Sequence, residues 1–181
     1  MKKVSLVVVT ILTAFALAFA LTGCGNSDEK AIRDGLNNQF KQFKDPKSNL
    51  WQKDMKDAIT ELEALGISST DLINAWIEGF AAEVGTIKID GNKATAEVKI
   101  TCKQFFPAVD SATDKLLNDP NLMSMTDDEM MKKFGDLIVS ELKASKPVTT
   151  TLSIPCTKSG STWTEAAGAE DEYNKALLGQ N

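Results

Sequence analysis

The chain opens on an apolar run. Val4 to Leu21 carries no charge, and Ser5, Thr10 and Thr13 are its polar exceptions. The spacing then turns helical. Ile32, Leu36, Phe40 and Phe43 recur on one face and predict a helix from Asp28 to about Phe43, stopped by Asp45-Pro46. Behind Ser48, a second stripe runs through Trp51, Met55, Ile59, Leu62 and Leu65, with Gly66 as the left-handed residue that ends it. A third helix is predicted behind Ser68, with Leu72, Trp76, Ile77 and Phe80 as its apolar face.

From Val84 the period changes to two. Ile87 and Ile89 alternate with Thr86 and Lys88, and Asp90-Gly91-Asn92 reads as a turn. Ala94, Ala96, Val98, Ile100 and Cys102 then alternate with Thr95, Glu97, Lys99, Thr101 and Lys103, one face dry and the other wet. Phe105-Phe106-Pro107 is expected to close this strand. A weak helix over 109–118 stops at Asp119-Pro120. A stronger one follows, opened by a Thr126/Glu129 capping box, buried along Met131, Phe134, Leu137, Ile138 and Leu142, and ended by Pro147. A second hairpin spans Val148 to about Glu165, turning at Ser159-Gly160-Ser161, with Trp163 on its return strand. Glu170 to Leu178 predicts a short final helix. Helices, hairpin, helices, hairpin is the order of an α+β fold, an antiparallel sheet of two hairpins packed against helices.

Composition narrows the function. The chain has 181 residues and no histidine, which removes Ser-His-Asp and Cys-His catalysis and histidine-ligated zinc. No cofactor or metal is expected. Asp127-Asp128-Glu129 lacks calcium-loop spacing and suits the first turn of a helix. Asp110 and Asp114, four apart, suit a solvated face.

The first residues explain the apolar run. Met1-Lys2-Lys3 is a short basic start, the run follows, and Leu21-Thr22-Gly23-Cys24 ends it. In this the N-terminus resembles a bacterial lipoprotein precursor, and the four residues resemble its lipobox. The resemblance implies a signal peptide over 1–23, removal of that segment, a diacylglyceryl thioether on Cys24, and a lipidated tether over 24–27. Residues 28–181 would then form one extracytoplasmic domain on the outer face of the cell membrane. Two other readings are an uncleaved membrane-spanning helix, for which about 18 apolar residues is the lower limit, and ordinary signal cleavage with Cys24 incidental. Loss of Lys2 and Lys3 leaves 18 basic against 25 acidic residues, a formal charge of −7. Such a domain lacks the cationic surface that nucleic acid demands, so no nucleic-acid partner is expected.

Cys102 and Cys156 remain. An oxidising location favours a disulfide between them; two small buried hydrophobes are the alternative. Trp76, Phe80, Phe105 and Trp163 are candidates to line an apolar pocket, against the alternative that they are core. Tyr173 reads as a packing residue.

The leading helices, the strand "GNKATAEVKIT" and the closing hairpin "VTTTLSIPCTKSGSTWTE" together resemble the cone-shaped nuclear-transport-factor-two-like and cystatin-like domains of small bacterial lipoproteins. The resemblance covers most of the chain after Cys24 and departs from it in the helical insert over 109–144. It implies a curved sheet able to hold a small molecule or a partner surface, often without catalysis. Two functions follow. One is a non-catalytic lipoprotein, attached to the membrane through its N-terminal lipid and binding an envelope protein or a small ligand. The other is an enzyme working on a small ligand through a buried carboxylate as acid and base. The acids of the predicted sheet, Asp90, Glu97 and Glu165, are placed on turns or the wet face, which favours the first. A transporter's two-lobed solute receptor would need more than the 158 residues left after residue 23.

Overall fold

The structure, a computed structural model, describes residues 21–22, 28–64 and 66–179. Cys24, most of the apolar run and Leu65 lie outside the described residues. Four strands form the body of one antiparallel sheet: β1 (Ala81–Asp90), β2 (Lys93–Cys102), β3 (Val148–Ser159) and β4 (Thr162–Glu165). They lie side by side in chain order, and the backbone of Leu21–Thr22 pairs with the outer edge of β4.

The predicted α+β arrangement is therefore present, with a simple strand order. The alternation of β2 is what fixes it. Ala94, Ala96, Val98, Ile100 and Cys102 are all buried, and β3 adds Leu152, Ile154 and Cys156 to the same face. The opposite face is wet, with Thr101 and Thr149 joined by a 2.8 Å hydroxyl contact across the strands.

Helices cover the dry face. α1 (Asp28–Lys44) buries Ile32, Leu36, Gln39, Phe40 and Phe43. Its Arg33 reaches β1, where Gly85 and Thr86 oppose Glu97 alone and form a bulge. The guanidinium donates to the carbonyls of Val84 and Gly85 and also pairs with Glu29. α6 (Ala169–Tyr173), continued by a wider π-type turn (Asn174–Leu178), lies beside β3. β4 pairs with only the last four residues of β3, so much of that edge is open to the C-terminal segment. Glu172 there accepts from the Ser153 amide at 2.8 Å.

The second predicted helix is broken. A π-type turn (Leu50–Asp54) precedes α2 (Lys56–Ala64), and Met55 forms the joint. Gly66 then takes φ 74° and Ile67 donates back to the Leu62 carbonyl at 3.0 Å, the expected left-handed exit. α3 (Ser69–Ile77) is capped by Ser68, which accepts from the Asp71 amide.

The insert between β2 and β3 is a helical hairpin, α4 (Phe105–Leu117) and α5 (Asp127–Ala144). Phe105-Phe106-Pro107 begins α4 rather than closing β2. Proline's missing donor costs nothing in a first turn, where amides have no helical partner. α5 opens with the expected reciprocal Thr126/Glu129 box, and Asp127, Asp128 and Glu129 occupy its first turn. Asp110 and Asp114 are exposed on α4.

At Gly135 of α5, an added Cβ would fall 2.6 Å from Ile67 Cγ1. Alanine gains about 1 kcal/mol of helix propensity over glycine, but overpacking costs about 1–3 kcal/mol. Gly135→Ala is expected to lower stability in urea unfolding by about 1 kcal/mol. Combined with Ile67→Ala, it should cost less than the two single changes summed.

Candidate functional site

The aromatic candidates separate into two groups. Trp76 and Phe105 lie 5.2 Å apart, Phe43 and Phe80 4.7 Å, and Phe43 and Trp76 5.6 Å, with Trp51 against Phe43. These rings are almost wholly buried and fill one another's space. They are a core cluster at the Cys102 end of the sheet. The indole of Trp76 donates to the Lys103 carbonyl at 3.0 Å, and Trp51 donates to the Phe43 carbonyl at 2.8 Å. Trp163 belongs to the other end, beside the Lys158 ammonium at 5.7 Å from its ring.

The cysteines are also apart. Cys102 stands opposite Val148 and Cys156 opposite Ala94, eight ladder positions away along the same pair of strands. At about 3.4 Å per residue, that is several times the separation a disulfide can span. Both thiols are free and buried, so the alternative of two buried hydrophobes holds and the expected bridge does not. Burial pushes each thiol up to about 12, with Glu165 adding to the effect at Cys156.

The chemically distinctive group is one that sequence reasoning placed wrongly. Glu165 follows Trp163 by two on β4 and shares its dry face. Ala94, Cys156 and Glu165 form one row across β2, β3 and β4. The small side chains of the first two leave room beside the carboxylate, and Tyr173 of α6 and Gln39 of α1 close over it. The Tyr173 hydroxyl donates to Glu165 Oε1 and lies 3.4 Å from Gln39 Oε1. Tyr173 and Gln39 are both buried. Tyr173 is thus more than a packing residue, since its hydroxyl links three elements.

Burial raises the Glu165 carboxyl to about 7, against the pull of the Tyr173 and Gln39 hydrogen bonds. The Tyr173 phenol is raised well above its ordinary range by burial first and by Glu165 second. A carboxyl titrating near neutrality is the property an acid or base needs. The signal was in the strand itself, because a residue two on from a buried tryptophan points the same way.

Two further features frame the site. Asp28, the first residue of α1, pairs with Lys158 at 2.7 Å, and that bond holds its carboxyl below the usual range. At the opposite end, a groove of about 620 Å³ runs between the π-type turn, α2 and α3, lined by Trp51, Ile59 and Ile73 with Lys47, Lys56 and Glu63.

Glu165 binds a proton more tightly when the chain is folded. Its contribution to stability is therefore full below the ordinary 4.5 and lost as pH rises through about 7. The loss is on the order of 3 kcal/mol. Glu165→Gln should remove most of that decline when unfolding is compared at about pH 5 and about pH 8. In a Cys24→Ser chain, maleimide should leave the native protein unlabelled and, without reductant, add two labels after unfolding, one at each free thiol.

No family model matches the chain, and no curated protein matches it in sequence. Among solved structures, it is similar to the crystal structure of a putative lipoprotein (ycdA) from Bacillus subtilis subsp. subtilis str. 168, at TM-score 0.48 and 17% identity. The likeness covers 93% of this chain and 55% of that one, so the chain spans about half of that protein's length.

Proposed function

We propose that this chain is a lipid-anchored extracytoplasmic domain that binds rather than catalyses. The observation that carries the reading is the junction between anchor and fold. The lipobox pattern ends at Cys24, and α1 starts four residues later at Asp28, held in place by Lys158. Two acyl chains and a thioether there hold the domain to the outer face of the cell membrane without any help from its surface. Cleavage before Cys24 also takes away Leu21–Thr22 and opens the outer edge of β4. The extended backbone of that pair suits the cleft of a processing peptidase.

Binding falls to the concave surfaces. The groove between α2 and α3 has the volume of a small-ligand site, and it mixes indole and aliphatic walls with charges of both signs. Its occupant is a small ligand or a segment of an envelope protein. A one-sided antiparallel sheet under helices also supports the cone-shaped family reading of the fold.

A second reading, a small-ligand-processing enzyme, is favoured by Glu165. Against it, the carboxylate is already engaged by Tyr173 and Gln39 from within the fold. Those bonds tie α6 and α1 to the sheet.

Cys24→Ser is the direct test of the anchor. The unaltered protein should partition with membranes and take up labelled fatty acid. The variant should do neither. A variant still bound to membranes would overturn the reading.

A further inference from the structure

One end of the sheet is set apart by two contacts. Asp28 is bonded to Lys158 through its side chain at 2.7 Å. The Lys158 amide donates to the Asn92 carbonyl at 2.8 Å. Both hairpin turns, Gly91-Asn92 and Gly160-Ser161, therefore lie beside the point where the tether enters the fold. From Cys24 to Asp28 the chain can reach about 14 Å at most. β2 runs ten residues away from that point, about 33 Å. α1 runs the same way and delivers the groove at the far end, since Trp51 and the Pro46 turn follow directly on Lys44.

The near end also carries an unusual surface. Ile89 is 40% exposed, although it shares the dry face with buried Ala94 opposite. It projects past the cover that α1 gives the sheet. Lys88 and Lys93, both exposed, stand on either side of the turn. Ile89 stands on the dry face and the two lysines on the wet face, with exposed Asp90 paired opposite Lys93, so an aliphatic group can enter the bilayer boundary while ammonium groups beside it reach headgroups.

We propose that the protein stands on the membrane by this end, with the β1–β2 turn and Ile89 against the lipid headgroups and the α2–α3 groove directed away from the bilayer. This orientation rests on the lipid anchor at Cys24 and adds to it a surface contact. The groove would then be presented at the height of soluble or envelope partners rather than buried against lipid.

The test uses lipidated full-length mature protein in phosphatidylcholine–phosphatidylglycerol vesicles containing a nitroxide-labelled lipid. A single fluorophore is attached by maleimide to Ile89→Cys, to Ser159→Cys or to Thr70→Cys. The native thiols are buried and stay silent. Labels at 89 and 159 should be quenched several-fold more than the label at 70. Equal quenching at all three, or stronger quenching at 70, on protein that floats with the vesicles overturns the orientation and leaves the anchor standing. Protein that fails to float overturns the anchor, and the orientation with it.

Discussion

A sheet with one wet face has to be covered on the other, and this constraint shapes the rest of the molecule. The dry face of β2 and β3 is a continuous strip of apolar side chains, and leaving it open would forfeit about 25 cal/mol for each Å² kept in water. α1 covers one part and the C-terminal segment another. Neither is sufficient alone, because β4 is only four residues long and leaves most of the outer edge of β3 without a strand. The final helix therefore does two jobs. It buries Ala169, Tyr173, Ala176, Leu177 and Leu178, and it occupies an edge that would otherwise invite pairing with another chain.

The half-buried carboxylate follows from that cover. Glu165 lies where α1, α6 and β4 meet, over the small side chains of Ala94 and Cys156. Once two helices close over the row, the acid has to be hydrogen-bonded from within, and Tyr173 and Gln39 do this. The cost is a carboxyl that resists ionisation. The return is a polar link between three elements. At the opposite edge, half-buried Arg33 performs a similar service, joining α1 to the carbonyls of the β1 bulge.

Much of this was legible from residue spacing. The alternation from Ala94 to Cys102 marked every buried position of β2, and Thr126 with Glu129 marked the start of α5. Gly66 marked the end of α2. Other features were not legible, for physical reasons. Phe105-Phe106-Pro107 suits a strand end as well as a first helical turn, and only the cover needed over Trp76 decides between them. The separation of Cys102 and Cys156 depends on register between strands far apart in sequence, which spacing along one strand cannot supply. Of the two readings of the aromatic residues, pocket or core, contacts between elements far apart in sequence decide for core, and spacing along the chain cannot supply them. Glu165 belongs not on a turn or the wet face but on the dry face, by the parity that buried Trp163 sets.

The account stands on the dry face being closed over Glu165 by the C-terminal helix. Its most direct measurement is the carbon-13 shift of the Glu165 side-chain carboxyl, followed from acid to mildly alkaline pH in the folded protein. A midpoint near 7 is the result expected of a carboxyl enclosed by Tyr173 and Gln39. A midpoint at the ordinary value of 4.5 would mean that burial does not penalise the charge, and would contradict this enclosure.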